Sequence, residues 1–590
     1  MVFMQLSDFL TIDTASSPVF HPVQSDRFLY INDASGLPQA YEYNLTTQSS
    51  SRLIETSERI MFATYIGDDI LIGMDHGVNE KQQLFLVKNK EDLLPLTDDP
   101  AHIHQYGGLS PDKQTIAWSS NRRHPQFFDV YTQRTDTFEI ECVYEEDGRH
   151  DPVSFHPNGK QLLIQKTSTN LDNDLGLLHL ETKTIEWLTL HNGEAHFTNA
   201  CFDKEGTYIY CISNVGREYS GVARIHVETK ALEWLYTANY DYEELVLSKD
   251  GAYLAYALNK GGVSEAYLTH IPAWQETKLS IEKGVVSSFS FSKDTSHVLF
   301  SLNGALHPTS IWCYEIEKKQ LQAVENCTKA RHITPHLTQS EEVMFTSSDG
   351  ETISSFYYKP AEEGPHPVVI FVHGGPESQI RSVYNPFLQY FVSQGFAVCT
   401  PNVRGSTGYG KRFHHLDDKR NRMDSVRDLN ELAEWLKAQE LAIPDKIAVM
   451  GRSYGGFMVL AAITHYPTQW AAAIDIVGIS SFKSFLENTS IWRRKVREAE
   501  YGSLEEDIDF FDNIDPIHKV DQIEAPLLVL HGRNDPRVPI SEAEQIVEQL
   551  QQRNHPVDFL YFENEGHFFV RYENNLAAYE KSFEFLQKWL

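Results

Sequence analysis

A serine flanked by glycines stands between a predicted buried strand and a predicted helix, late in the 590-residue chain. The segment KIAVMGRSYGGFMVLAAITHYP places Ser453 in a G-x-S-x-G pattern. On a sharp strand-to-helix turn, such a serine is exposed as a nucleophile. A tight turn that needs small residues for close packing would produce the same pattern. The partners of the serine must therefore decide between the two interpretations.

An acid and a histidine follow the serine at the ends of two later predicted strands. The strand PLLVLHG leads to Asp535, and the strand DFLYFENEGH ends at His567. A serine, an acid and a histidine in this chain order are typical of a hydrolytic triad. We predict that His567 takes the proton of Ser453 and later gives it to the leaving group. Asp535 would orient the imidazole and stabilise its charged form.

The loop His373–Pro376, with the sequence HGGP, follows an earlier apolar strand. Attack on a carbonyl creates an oxyanion, and backbone N–H groups can stabilise it. One donor is predicted to be the N–H of Tyr454, which follows the nucleophile. The other is expected from the HGGP loop, where Gly374 and Gly375 allow the backbone to approach the substrate. The His373 side chain is expected to be structural.

From about residue 331 the chain alternates apolar strands with amphipathic helices, after a leading hairpin whose turn is Asp349-Gly350. This alternation predicts a parallel sheet covered by helices on both faces. Six such strands plus the hairpin match an eight-stranded, mostly parallel α/β-hydrolase sheet over residues 331–590. The loop NVRGSTGYGKRF lacks the spacing of a phosphate-binding loop and is expected to be a turn or a wall of the site.

The preceding residues contain a repeat of a short apolar strand, a polar turn and a second apolar strand. Five clear and two degenerate copies recur at intervals of about 45 residues, and each is followed by a second hairpin. Their turns lie near Asp26, Asp68, Asp112, Asn158, Glu205, Asp250 and Asp294. Four strands per repeat predict an all-β seven-bladed β-propeller over residues 17–330, after an N-terminal arm of residues 1–16. A β-solenoid or an irregular β domain is the alternative.

Composition excludes several classes of partner. The net charge of −31 argues against nucleic acid and anionic membranes, because both attract basic surfaces. The six cysteines form no C-x-x-C pair, so no zinc or redox site is expected. The N-terminal sequence lacks the features of a signal peptide, and no apolar stretch is long enough to span a membrane. A cytoplasmic location is therefore predicted.

Five motifs together resemble the prolyl oligopeptidase family of serine peptidases: HGGP, NVRGSTGYG, GRSYGG, HGRNDPRVP and GHFF. The resemblance covers the whole chain, with a propeller before a hydrolase domain. Within the family the chain is most similar to the acylaminoacyl-peptidase branch, because Tyr454 stands where the prolyl-specific branch has Asn.

The resemblance implies roles for individual residues. Ser453, Asp535 and His567 would form the triad, and the backbones of Gly375 and Tyr454 would form the oxyanion hole. Arg493, rather than its neighbour Arg494, would grip a substrate carbonyl, with Gly374 also at the substrate. No metal or cofactor is implied. The expected reaction is cleavage of short peptides through an acyl-enzyme, releasing N-acylated amino acids with accompanying esterase activity.

Three alternatives stay open at this point. A dipeptidyl peptidase or an oligopeptidase of the same family is the first. The dipeptidyl-peptidase mode would need acids to hold a free N-terminus, and no Glu-Glu pair is assigned to that role. A carboxylesterase would use the same triad, and a catalytically silent propeller scaffold would use none of it.

The apolar residues Ile479, Phe482, Phe485 and Trp492 could form a specificity pocket or belong to the core. The N-terminal arm could cross to its own hydrolase domain or to another subunit, so a homo-oligomer such as a dimer is left open.

Overall fold

The computed structural model of the protein describes residues 4–89, 92–324 and 336–590. Strands β1–β28 lie in its N-terminal part and are mostly four to ten residues long. Their bounds are β1 Ala15–Phe20, β2 Arg27–Asn32, β3 Gln39–Asn44, β4 Ser49–Arg52, β5 Ile60–Ile66, β6 Asp69–Met74, β7 Gln83–Lys88, β8 Asp92–Pro95, β9 His104–Leu109, β10 Thr115–His124, β11 Phe127–Arg134, β12 Ile140–Tyr144, β13 Arg149–Phe155, β14 Gln161–Thr169, β15 Asp172–His179, β16 Thr184–Trp187, β17 Phe197–Phe202, β18 Tyr208–Ser213, β19 Gly221–His226, β20 Leu232–Tyr236, β21 Asp241–Leu247, β22 Tyr253–Lys260, β23 Val263–His270, β24 Gln275–Lys278, β25 Val285–Phe291, β26 His297–Gly304, β27 His307–Glu315 and β28 Gln320–Ala323.

These strands pair with their chain neighbours in blade-like antiparallel sheets. β1–β4, β5–β8, β17–β20, β21–β24 and β25–β28 each form a four-stranded sheet, and β9–β16 form one eight-stranded sheet. The eight-stranded sheet consists of two antiparallel sets joined by a parallel pairing of Phe128 with Arg149. The prediction of repeated antiparallel hairpins is therefore confirmed.

The polar turns of the repeat are closed by their own side chains. Asp112 Oδ1 accepts hydrogen bonds from Ser110 Oγ at 2.6 Å and from the Gln114 N–H at 3.1 Å. Asp250 accepts from Ser248 Oγ at 2.6 Å in the same way. Because an Asp side chain that bonds the backbone two residues on stabilises a turn, these acids have a structural role, as the sequence predicts.

The first sheet of the row contacts the last. The Ser17 N–H donates to Ser301 Oγ at 3.1 Å, and the Phe20 N–H donates to Ser290 Oγ at 3.0 Å. Phe28 belongs to the same buried apolar cluster as residues of β26 and β27. The first and the last four-stranded sheets of this part of the chain are therefore in contact with each other. The predicted domain boundary at residues 330 and 331 lies outside the described residues.

The C-terminal part is built on one eight-stranded sheet. Its strands are β29 Glu341–Thr346, β30 Thr352–Tyr358, β31 His366–Val372, β32 Ala397–Asn402, β33 Ala442–Arg452, β34 Ala472–Ile476, β35 Leu527–Gly532 and β36 Val557–Phe562. They are ordered β29-β30-β32-β31-β33-β34-β35-β36. β29 and β30 pair with each other antiparallel, β30 also pairs antiparallel with β32, and the pairings among the other six strands are parallel. This is the mostly parallel α/β sheet that the alternating pattern predicts.

Helices cover both faces of this sheet, and their apolar sides form two buried clusters with it. The helices are α1 Leu6–Leu10, α2 Pro386–Ser393, α3 Lys411–His414, α4 Arg422–Ala438, α5 Tyr454–His465, α6 Phe482–Asn488, α7 Ile491–Tyr501, α8 Ile508–Ile514, α9 Ser541–Gln552 and α10 Tyr572–Trp589. In the part of the chain that the structure describes, none of them is both long and apolar enough to cross a membrane.

The N-terminal helix α1 packs on the C-terminal part of its own chain. The rings of Phe9 and Tyr390 meet edge to face with centroids 6.0 Å apart. The Tyr384 hydroxyl donates to the Phe9 carbonyl at 2.8 Å, and Gln394 Nε2 donates to the Met4 carbonyl at 3.2 Å. Within one chain, the N-terminal helix therefore contacts the part of the chain that contains the parallel sheet.

Candidate active site

Ser453 occupies a strained turn between β33 and α5. Its backbone has φ 60° and ψ −120°, a conformation that is unfavourable for a residue with a side chain. The Ser453 N–H donates to the Ile476 carbonyl at 2.9 Å, which holds the turn against β34. A Cβ atom on Gly451 would lie 2.3 Å from the Gly455 oxygen, and one on Gly455 would lie 2.4 Å from the Val372 oxygen. The flanking glycines are thus needed for the turn itself.

His567 and Asp535 meet beyond the ends of the two strands that were expected to present them. His567 Nδ1 lies 2.7 Å from Asp535 Oδ2. The other carboxylate oxygen accepts from the N–H groups of Arg537 at 2.8 Å and Val538 at 3.0 Å. A carboxylate accepts a hydrogen bond from Nδ1–H, so Nε2 of the neutral ring is left as the proton acceptor.

Burial sets the protonation states of this pair. Burial lowers the pKa of His567 below its ordinary value of 6.5, although the Asp535 carboxylate opposes the shift. Burial acts to raise the pKa of Asp535, but the charges and hydrogen bonds around it, first of all from His567, bring it below the ordinary value of 3.8. The free protein at neutral pH therefore holds a neutral His567 beside an ionised Asp535.

This protonation state predicts the acid limb of a pH profile. Only neutral His567 can accept the Ser453 proton, so kcat/KM on an uncharged peptide should rise with pH through the pKa of His567. Because burial lowers that pKa, we expect half-maximal kcat/KM at a pH below 6.5. Steady-state kinetics in constant-ionic-strength buffers measure this limb. A midpoint at or above 6.5 would contradict the assignment of His567 as a desolvated base.

Five of the predicted site residues line one cavity of about 340 Å³, namely Gly374, Gly375, Ser453, Arg493 and His567. Its walls are Asn170, Gly374, Gly375, Glu377, Ser378, Arg452, Ser453, Ile479, Phe485, Arg493, Arg497, Tyr501, Arg537, Val538, His567 and Phe568. Asp535 lies behind His567 and is buried. The Tyr454 side chain is buried in the core, so this residue can serve the cavity only through its backbone at the start of α5.

Gly374 and Gly375 bring the HGGP loop against the serine. A Cβ atom on Gly374 would lie 3.0 Å from the Ser453 Cβ, so a larger residue would crowd the nucleophile. The carbonyl of Gly375 accepts hydrogen bonds from the Tyr501 hydroxyl at 2.6 Å and from Arg497 Nη1 at 3.3 Å. The HGGP loop is thereby anchored from α7 beside Ser453.

His373 holds the same loop from the other side. Its Nε2 lies 2.8 Å from Ser406 Oγ, and its Nδ1 lies 2.8 Å from the Gly374 carbonyl. Both ring nitrogens are therefore engaged in loop contacts, as expected for a structural histidine. Ser406 belongs to the NVRGSTGYG loop, which thus supports the wall of the site.

The ion pair of Arg497 with Glu377, which holds the chain directly after the HGGP loop, was not predicted from the sequence. Arg497 donates to both carboxylate oxygens of Glu377, at 2.8 Å and 3.0 Å, and both side chains are at least nine-tenths buried. Asn170, from the antiparallel part of the chain, donates to Glu377 at 2.8 Å. The sequence does contain a pattern that could have indicated the contribution of α7. Arg493, Arg497 and Tyr501 follow one another at four-residue spacing, so they share one face of the helix.

The arginines of the HGRNDPRVP and IWRRK segments divide into different environments. Arg493 lines the cavity, whereas Arg494 donates to the Glu487 carbonyl at 2.6 Å and does not line it. Arg537, which sequence reasoning did not single out, also lines the cavity. Its Nε donates to both oxygens of Glu80, at 2.7 Å and 2.9 Å.

The four apolar residues that were candidates for a specificity pocket lie in three different places. Ile479 and Phe485 line the cavity. Phe482 is fully buried in the core cluster, and Trp492 lines a neighbouring cavity instead.

One group of carboxylates in the described ranges lies close enough to share a metal ion, and it consists of Asp417, Asp418 and Glu500. Arg422 already donates to two of them, to Asp417 at 2.5 Å and to Glu500 at 2.6 Å. The guanidinium therefore supplies the positive charge that these buried acids require.

Comparison with known proteins adds a family and a fold. Residues 383–590 match the model of the prolyl oligopeptidase family. Dipeptidyl aminopeptidase BIII of Pseudoxanthomonas mexicana is 33% identical over 249 residues, which are 40% of this chain and 36% of that protein. The acylamino-acid-releasing enzyme of Rattus norvegicus is 29% identical over 234 residues, which are 38% of this chain and 32% of that protein. The chain thus spans about a third of the length of these curated relatives.

Two solved structures resemble the chain over nearly its full length. A puromycin-hydrolyzing peptidase of Mycobacterium tuberculosis has a TM-score of 0.88 at 18% identity, covering 100% of this chain and 96% of that one. An acylaminoacyl peptidase of Pyrococcus horikoshii has a TM-score of 0.75 at 16% identity, covering 100% of this chain and 98% of that one. At these identities the likeness shows a shared fold.

Proposed function

Because residues 383–590 match the model of the prolyl oligopeptidase family, we propose that the protein is a serine-type hydrolase that cleaves short peptides through an acyl-enzyme on Ser453. The observation that carries the proposal is the meeting of Ser453 and the Asp535-bound His567 in one cavity. The strained turn at Ser453 supports it, since such turns are costly and tend to persist where function needs them.

In the proposed reaction, Ser453 Oγ attacks the carbonyl carbon while His567 Nε2 takes the hydroxyl proton. The N–H groups of Gly375 and Tyr454 stabilise the oxyanion. The intermediate expels the amine, which receives the proton from His567, and leaves an ester on Ser453. Water then attacks the ester with His567 again as base, and the acid product leaves with Ser453 restored.

We further propose that the preferred substrates have a blocked N-terminus, so that the products are N-acylated amino acids. A free N-terminal ammonium would need an uncompensated carboxylate near the scissile bond. The one acid among the described residues that line the cavity is Glu377, and Arg497 already pairs with it. Nearby Glu80 is paired with Arg537. A neutral acyl group therefore fits this charge distribution better than an ammonium.

The antiparallel sheets are proposed to form a seven-bladed propeller over residues 17–330 that gates the hydrolase domain of residues 331–590, with residues 1–16 as a connecting arm. Contacts between the first and last sheets support a closed ring. Asn170 borders the cavity from the antiparallel part, so that part limits access to the serine. Oligopeptides would enter this space, whereas folded proteins would be excluded.

The remaining proposals follow from composition and from the chemistry. A serine triad needs no metal or cofactor. The net charge of −31 disfavours nucleic acid and membrane partners, and a cytoplasmic location is proposed. A homo-oligomer, such as a dimer, is retained as a proposal.

A panel of matched peptides tests the substrate class. We expect kcat/KM for an acetylated peptide with an apolar residue at the scissile bond to exceed that of the free-amine peptide by about tenfold or more, because no unpaired acid receives the ammonium. Chromatographic analysis of products locates the cleaved bond. A preference for the free amine with release of dipeptides would favour the dipeptidyl-peptidase mode of the relative from Pseudoxanthomonas mexicana instead.

An ester arm of the same panel separates peptidase from carboxylesterase. The acetylated aminoacyl anilide is compared with the p-nitrophenyl ester of the same acid. Hydrolysis of the ester alone would contradict the peptidase proposal, while hydrolysis of both would agree with it.

A further inference from the structure

A second cavity of about 340 Å³ adjoins the one that holds Ser453. Arg493, Arg537 and Phe568 line both cavities and thus form the wall between them. Arg59, Arg149, Phe128 and Trp492 complete much of the second cavity. Its surface therefore combines four guanidinium groups from both parts of the chain with aromatic rings and one carboxylate, that of Glu80.

All but one of the arginines around the second cavity have an acidic partner. Arg59 pairs with Asp75 at 2.8 Å. Arg149 pairs with Asp151 at 2.7 Å. Arg537 pairs with Glu80, as described above. Arg493 is the exception: among the described residues it makes no ion pair.

The surroundings of the Arg493 guanidinium are restrictive. Its Nε is buried without a hydrogen-bond partner in the described part of the chain. It stacks on the Trp492 ring at 5.3 Å from the centroid. Burial, followed by the positive charges of Arg537 and Arg497, lowers the pKa of Arg493 to about 10. The group is still charged at neutral pH. The carboxylate whose charge acts on it, Glu80, already pairs with Arg537, so among the described residues Arg493 faces the two cavities without an acidic partner of its own.

A half-buried cation without an acidic partner of its own is unfavourable, and a carboxylate ligand supplies both the balancing charge and an acceptor for the buried Nε–H group. A guanidinium can bind a carboxylate through two parallel hydrogen bonds. A neutral carbonyl accepts a hydrogen bond but leaves the net charge in place. Besides Arg493, Arg497 and Arg537, the first cavity is lined by Arg452. Its guanidinium donates a hydrogen bond to the His567 carbonyl at 2.8 Å.

We propose that Arg493, at the junction of the two cavities, binds a carboxylate group of the substrate and selects peptides that carry one near the scissile bond. This inference rests on the proposed peptidase function and specifies its substrate class. The carboxylate is either an acidic side chain or the free C-terminus of the peptide. Phe128 and Trp492 would contact the apolar part of the same residue.

Matched peptide pairs test the inference. The side-chain arm uses acetylated peptidyl anilides ending in Leu, with Glu or Gln at the second or third residue from the cleaved bond. The C-terminal arm compares acetyl-Leu-Ala-Ala bearing a free carboxylate with its amide. We expect the charged member of one pair to have a kcat/KM about tenfold higher, the size of one charge-assisted contact. The arm that shows the preference identifies the source of the carboxylate.

Variants at two adjacent positions then assign the preference to Arg493. Arg493→Met, which keeps length and removes charge, should abolish the preference by lowering kcat/KM for the charged peptide. Arg493→Lys should retain part of it, because lysine keeps the charge without the two-pronged donor. The control Arg494→Met should leave the ratio at its wild-type value, since Arg494 does not line either cavity.

Each outcome decides a separate question. An unchanged ratio in Arg493→Met, or no preference for a charged peptide in any wild-type pair, would overturn the carboxylate inference. Hydrolysis of the neutral peptides would in that case still support the proposed function, whereas failure to hydrolyse any peptide would overturn that function first. If Arg493→Met does not fold, the wild-type ratios and Arg493→Lys still give the answer.

Discussion

Ser453→Ala is expected to lower kcat for an acetylated aminoacyl anilide by at least about 10⁴-fold, because removal of a triad nucleophile leaves only binding and oxyanion stabilisation. The substitution removes one oxygen at a residue that borders a cavity, so folding should be retained. Circular dichroism and thermal unfolding check the fold, and steady-state kinetics measure the loss.

A fluorophosphonate probe makes the same prediction independent of the substrate. Wild-type protein should be labelled at Ser453, and Ser453→Ala should not be labelled. Ser541→Ala is the matched control, because Ser541 is an exposed serine at the start of α9. Equal labelling of wild type and Ser453→Ala would remove Ser453 as the nucleophile. Absence of labelling and of hydrolysis in the wild type would instead support a catalytically silent scaffold.

Arg497→Met is expected to impair both stability and catalysis. It leaves the Glu377 carboxylate buried without its ionic partner, which typically lowers the free energy of unfolding by about 3–5 kcal/mol. It also removes one donor to the Gly375 carbonyl and so loosens the oxyanion loop. We expect kcat to fall by about 10²-fold, the usual size of a lost oxyanion contact, with a smaller change in KM. Chemical denaturation and steady-state kinetics measure the two effects.

Two further variants separate the causes of this change. Arg412→Met removes an exposed ion pair with Glu351 and should change the free energy of unfolding by less than about 1 kcal/mol. The double variant Glu377→Gln with Arg497→Met removes the orphaned charge, so it should recover stability while kcat stays low. If Arg497→Met has wild-type kcat, then Arg497 does not position the loop that carries Gly375.

The order of elements and the placement of the reactive residues could be predicted from local patterns. Strand and helix periodicities are short-range properties, and they located the sheet from β31 to β36 without any knowledge of tertiary contacts. Because parallel strands present their carboxyl ends at one edge, Asp535 and His567 could be assigned to the same site as Ser453. The glycines around Ser453 likewise followed from the geometry that a tight turn requires.

Other features depend on pairs of residues that no local spacing connects. Asn170 and Glu377 are 207 positions apart, and Glu80 and Arg537 are 457 positions apart. Which arginine keeps an unbalanced charge follows from these pairings, because an arginine beside an acid and one without an acid look alike in a helical segment. The packing of α1 on Tyr390 is of the same kind.

The chain order of Ser453, Asp535 and His567 was thus sufficient to indicate the chemistry of the site, since each residue sits at the end of a locally encoded element. The tertiary structure alone decided the electrostatics that surround this chemistry. Long-range ion pairs balance the charges of Glu377 and Glu80, and within the described parts of the chain Arg493 has no such partner. The physical reason is that desolvation and Coulomb interactions depend on distances in space, which the sequence specifies only through the whole fold.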